Sequence, residues 1–110
     1  MSTAGEKKPD ARRAPRFPLE QVVSVSSIDG RFEDLSGVSR DVSAAGIFFY
    51  VDELLPVGGG VEIFMMMPQN DIFAEAVFPL RCFGAVVRVV PHNSRYGVAV
   101  AFEKIDVIAE

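Results

Sequence analysis

The chain is short of the side chains on which small catalytic and metal-bound domains depend. Its 110 residues include one cysteine, one histidine and no tryptophan. Cys82 alone cannot form an internal disulfide, and no metal cluster can be assembled around it. A nucleophile–base–acid set would have to use His92, which lies in the turn signal Pro91-His92-Asn93-Ser94 and reads as a solvated turn residue. Long apolar runs are lacking too. The stretch from Leu54 to Met67 is broken by Glu62 and is well short of the ~20 residues that cross a bilayer as a helix. The opening MSTAGEKKPDARRAPR has no apolar segment and so no secretory signal. The expectation is a cytoplasmic protein, not inserted in a membrane, carrying no metal or cofactor and catalysing nothing.

With 49% hydrophobic and 24% charged residues, the composition is that of one ordinary globular domain. The charge is unevenly placed. Residues 1–16 hold five basic and two acidic side chains, a net of +3, while the other 94 hold six basic and thirteen acidic, a net of −7. A body this acidic argues against a general nucleic-acid binder. A small anion bound beside the basic arm stays possible.

Residues 1–18 form the expected arm, because Pro9, Pro15 and Pro18 remove backbone donors and no periodicity is present. Residues 19–110 form the expected body of short strands. Gln21–Ile28 alternates loosely and ends at an Asp29-Gly30 hairpin turn. Arg31–Val42 is polar and irregular, with Gly37 suggesting a bulge. Gly46–Val51 is apolar on both faces. Val61–Met67 is a strand that ends at a Pro68-Gln69-Asn70-Asp71 turn. Phe73–Val90 is long, with a bend at Gly84. Arg95–Phe102 alternates most cleanly, placing Tyr96, Val98, Val100 and Phe102 on one face and Gly97, Ala99 and Ala101 on the other. Lys104–Glu110 has room for a turn or two of helix. Six strands at these spacings suit an all-β fold, a closed or nearly closed antiparallel barrel.

Two segments carry chemistry. Arg12, Arg13 and Arg16 place three guanidiniums within five residues. Such groups gain nothing in a core but offer planar, paired donors to phosphate oxygens and flat faces to bases. In Asp41-Val42-Ser43-Ala44-Ala45-Gly46, an extended start puts Asp41 and Ser43 on one side, two residues apart. A carboxylate accepts two N–H bonds from a guanine edge, a serine hydroxyl assists, and the small residues admit a flat ring. The same segment also reads as a serine turn closed by glycine.

With the two motifs taken together, the chain resembles the PilZ family. Arg12 and Arg16 match RxxxR, and Asp41, Ser43 and Gly46 match DxSxxG. Further likeness lies in GIFFYVD, VEIFMMMP, GAVVRVV and RYGVAVAFEKI, over about residues 12 to 106. The resemblance implies a six-stranded antiparallel β-barrel, usually with a C-terminal helix; the residues themselves add a flexible N-terminal arm and leave room for at most a short C-terminal helix. It implies a receptor for the bacterial second messenger cyclic di-GMP, with Arg12, Arg13 and Arg16 on phosphates and a guanine face. Asp41, Ser43 and Gly46 would then meet a guanine edge, and a downstream protein partner would read the change. An adapter of the same fold, working in motility or pilus assembly by protein contacts alone, is the alternative. A barrel for single-stranded nucleic acid would need exposed aromatics on a basic face, and the −7 body speaks against it.

Overall fold

A computed structural model describes residues 15–71 and 74–108, and all regular structure within them is strand. The strands are β1 (Phe17–Pro18), β2 (Val22–Ser27), β3 (Leu35–Val42), β4 (Gly46–Val51), β5 (Gly60–Asp71), β6 (Ala74–His92) and β7 (Arg95–Val107). Every pairing is antiparallel. The order β3-β2-β5-β6-β7-β4 returns to β3 through a β3–β4 pairing, so six strands close into a barrel. The two residues of β1 lie on β3 just beyond β2.

Alternation decides which side chains fill the interior. Val23 and Val25 of β2, Ile47, Phe49 and Val51 of β4, and Val61, Ile63 and Met65 of β5 are buried together with Cys82, Val86, Val98 and Val100. Tyr96 and Phe102 pack against this core, so the large face of β7 points inward as its pattern predicts. Met65 is buried, Met66 exposed and Met67 half-buried, as alternation along a strand requires. The β6–β7 hairpin turns on Asn93 and Ser94, both at positive φ (47° and 71°), the backbone of a tight two-residue hairpin. Opposite Gly84 the β6–β7 register slips, and an added Cβ there would run into the Ala101 carbonyl. The expected bend is therefore a place where two backbones touch.

Three local expectations are corrected. Pro68–Asp71 is not a turn but the end of β5, paired with β6 from Pro68↔Val77 to Asp71↔Ala74. The β2–β5 pairing ends at Phe64, so Pro68 lies on an edge stretch where its missing donor costs no ladder bond. Lys104–Val107 is strand, not helix, because β6 is long enough to pair with it from Phe83↔Lys104 to Leu80↔Val107. So short a segment cannot offset the cost of nucleating a helix. Gly37 is not a bulge. A Cβ there would lie 2.9 Å from the Tyr50 carbonyl oxygen and 2.9 Å from Val51 Cγ1, so close packing explains the glycine. The β3 bulge falls three residues later, between Ser39 and Asp41.

Candidate functional site

That bulge builds the site. Ser39 faces inward; its hydroxyl donates to the Leu19 carbonyl and accepts from the Gln21 N–H at 3.2 Å. Val42 faces inward as well, into the core. Between them, Ser39 pairs with Phe49 and Asp41 with Phe48, which leaves Arg40 as the extra residue. Two consecutive side chains, Arg40 and Asp41, therefore share the outer face, which a regular strand forbids.

β1 brings the arm to the same place. Phe17 pairs with Val42 and Pro18 with Asp41, and the Leu19 N–H donates to the Arg40 carbonyl at 3.1 Å. Arg16, one residue before β1, donates from Nη1 to Asp41 Oδ1 across a separation of 25 residues. Arg40 Nε donates to the other oxygen, Oδ2, at 2.7 Å. The carboxylate is thus bridged by two guanidiniums and is only 14% exposed, whereas Arg16 is 57% and Arg40 51% exposed. Pairs with so much water around the cation contribute about 0–1 kcal/mol each. Arg16 can exchange its carboxylate for an arriving anion at little cost. The hydrogen bond to Asp41 raises the Arg40 pKa above its ordinary value, so this guanidinium is charged at any working pH.

Ser43 and Gly46 close the turn between β3 and β4. Ser43 Oγ accepts from the N–H groups of Ala45 (3.0 Å) and Gly46 (3.2 Å), and the Ser43 N–H donates to the Gly46 carbonyl at 2.8 Å. These bonds use the acceptor side of the hydroxyl and leave its hydrogen. An added Cβ at Gly46 would strike the Val100 carbonyl of β7. Both residues thus have structural work, whatever else they meet. Arg12 and Arg13 lie outside the described residues.

The outer face beside Asp41 holds features that sequence reasoning missed. Asp41, Phe48 and Ala99 are paired in a row across β3, β4 and β7, and Ala99 pairs onward with Arg88 of β6. A second slip, between Val86 and Arg88, leaves Val87 as the extra residue of β6 there. Phe48 is 5% exposed yet does not belong to the barrel core. The Arg40 guanidinium covers its ring at 4.0 Å from the centroid, with Arg88 at 5.8 Å. Tyr50 meets the ring edge-on at 5.5 Å, and His92 stacks on Tyr50 at 4.8 Å. A groove of about 680 Å³ runs past this cluster between Pro18, Glu20, Arg40, Tyr50, His92 and Arg95. The small face Gly97, Ala99 and Ala101 was the one available signal, since small residues leave room for a ring. Gly97 leaves that room to Phe48, whose Cζ would lie 2.5 Å from a Cβ added at the glycine. An apolar hollow of about 550 Å³ opens at one end of the barrel, with Phe17, Leu19, Met65, Leu80, Cys82 and Phe102 in its wall.

The arrangement offers acceptors and cations side by side with a partly covered aromatic surface. That suits a ligand with both anionic and flat hydrogen-bonding parts. No group of three His, Cys, Asp or Glu side chains gathers among the described residues. Nor is any helix among them long and apolar enough to cross a membrane. A family model described as the PilZ domain matches residues 10–110. None of the curated proteins matches the chain.

Proposed function

The chain belongs to the PilZ family, whose domains generally bind cyclic di-GMP, and from that premise we propose that this domain is a cytoplasmic cyclic di-GMP receptor and not an enzyme. The observation that supports the reading is the ion pair between Arg16 and Asp41, the meeting of the two motifs at one point on the barrel surface. In this scheme Arg12, Arg13 and Arg16 take the two phosphates and one guanine face. Asp41 accepts from a guanine N1–H and N2–H, the hydroxyl hydrogen of Ser43 donates beside it, and Gly46 keeps the turn open to a flat ring. Arg16 is the hinge of the scheme. It leaves a carboxylate that then needs new donors, and it carries its charge to a phosphate that needs neutralising.

Charge-assisted hydrogen bonds contribute about 1.5–3 kcal/mol each. Micromolar affinity requires a net of about −8 kcal/mol. Several contacts must therefore form together, and closing the arm over the nucleotide alters the surface shown to a downstream protein partner. The adapter alternative, acting without nucleotide, makes no use of the Arg16–Asp41 pair. Titration calorimetry of the protein with cyclic di-GMP, GTP and an oligonucleotide tests the proposal. Micromolar binding of cyclic di-GMP, with the other two at least about tenfold weaker, is expected. The absence of heat with all three leaves the adapter, and a preference for the oligonucleotide removes both.

A further inference from the structure

We propose that Arg40 is a positioning residue of this site, holding the Asp41 carboxylate at the angle at which it meets a guanine edge. The support runs in a packed series from Gly97 through Phe48 to Arg40. The inference rests on the cyclic di-GMP reading and adds to it a residue that belongs to neither motif.

A carboxylate turns easily about its last torsion, which has broad minima. To accept two parallel N–H bonds it must be fixed in plane. Arg16 cannot fix it, because in the bound state Arg16 is engaged with the nucleotide. Arg40 can. Its Nε lies 2.7 Å from Asp41 Oδ2, and the flat guanidinium rests 4.0 Å from the centre of the Phe48 ring. The ring itself cannot yield. It is 5% exposed, Tyr50 sits against it at 80°, and it lies over Gly97, where an added Cβ would come 2.5 Å from Cζ and 2.9 Å from Cε1. Each carboxylate oxygen has two lone-pair directions. Arg40 uses one on Oδ2, so once Arg16 departs both oxygens retain an acceptor site for the guanine. The bulge between Ser39 and Asp41 makes the device possible, because it puts the neighbouring residues Arg40 and Asp41 on one face. A lysine at 40 would keep the charge but lose both Nε and the flat stacking surface.

The test compares cyclic di-GMP with its inosine analogue, which lacks the exocyclic amines, against the native protein, Arg40→Ala, Arg40→Lys and Phe48→Leu. Calorimetry reads affinity, and a ligand-free thermal melt confirms that each variant is folded. Arg40→Ala is expected to weaken cyclic di-GMP about tenfold, the worth of one charge-assisted hydrogen bond, and the inosine analogue less than about threefold. Phe48→Leu should reproduce that selective loss, and Arg40→Lys should fail to restore it. Equal losses for both nucleotides, or full rescue by lysine, would mean that Arg40 acts on the phosphates as a charge, and would overturn the inference. So would an unchanged affinity in Arg40→Ala. If the native protein binds neither nucleotide, the receptor reading itself falls and takes the inference with it. Native binding with an indifferent Arg40→Ala removes the inference alone.

Discussion

The two faces of β4 are buried to nearly the same degree and for different reasons. Phe49 is 0% and Phe48 5% exposed, yet one ring belongs to the barrel core and the other does not. Phe49 sits among Ile47, Val51 and the other interior side chains, covered by hydrocarbon. Phe48 sits on the outside of the same strand, over a glycine and under guanidiniums that are themselves in water. What covers a ring, more than how little of it shows, separates the part that holds the fold from the part proposed to meet a ligand. Interior cover is fixed by close packing. Outer cover is made of half-exposed arginines, held by stacking and by ion pairs to Asp41.

Phe49→Ala is the most severe way to test that distinction. It empties a fully buried site in the core cluster and should cost about 3–5 kcal/mol of stability in urea unfolding. Phe48→Leu should cost about 1 kcal/mol, the loss of a cation–π contact and some area, because the flexible arginines above it can follow the smaller side chain. Equal costs would erase the difference between the faces.

Next in size are Arg16→Ala and Asp41→Ala, which act on the outer face alone. Each should weaken cyclic di-GMP at least about a hundredfold, since several contacts depend on each group. Arg16→Ala should lower the ligand-free melting temperature by at most about 4 °C, since an exposed ion pair contributes at most about 1 kcal/mol, and Asp41→Ala, which removes the pairs to both Arg16 and Arg40, by at most about twice that. A large drop in the melt would make the Arg16–Asp41 pair a clasp for the arm and move it to the structural side of the comparison.

The interior was far more legible in the sequence than the outer site. Val23 and Val25, or Val98 and Val100, announce their direction by spacing alone, because a strand has a period of two and the core rewards it. The motif residues were legible as chemical types. Their meeting was not, since Arg16 reaches Asp41 only through the Phe17↔Val42 and Pro18↔Asp41 register. Register belongs to two segments at once and leaves no local trace. The same holds for the bulges beside Arg40 and Arg88, which reverse the direction of every later residue on their strands. Arg40 stood beside Asp41 in the chain, but alternation places neighbours on opposite faces, and so it went unread. Pro68 misled for the converse reason: its turn preference is real, but an edge stretch of a long ribbon accommodates it.

The smallest effect separates the faces by titration. The outer face carries its charges in water, whereas Cys82 points inward at 1% exposure. Burial, aided by the negative charge of Asp106, pushes its pKa from 9.0 up to about 11. The folded state therefore keeps the thiol proton at a pH where the unfolded chain has released it. Stability from this group is full below pH 9 and declines as pH rises towards 11, because the unfolded state gains by ionising and the folded state does not. Between about pH 8 and 10 the native protein should lose on the order of 1 kcal/mol more than Cys82→Val, measured by urea unfolding at both values. The folded protein should also be slow to react with a disulfide reagent at about pH 8, where both burial and protonation protect the sulfur. If Cys82→Val loses as much stability over that range as the native protein, the alkaline sensitivity arises elsewhere. The interior would then be less sealed than the geometry of β5, β6 and β7 requires.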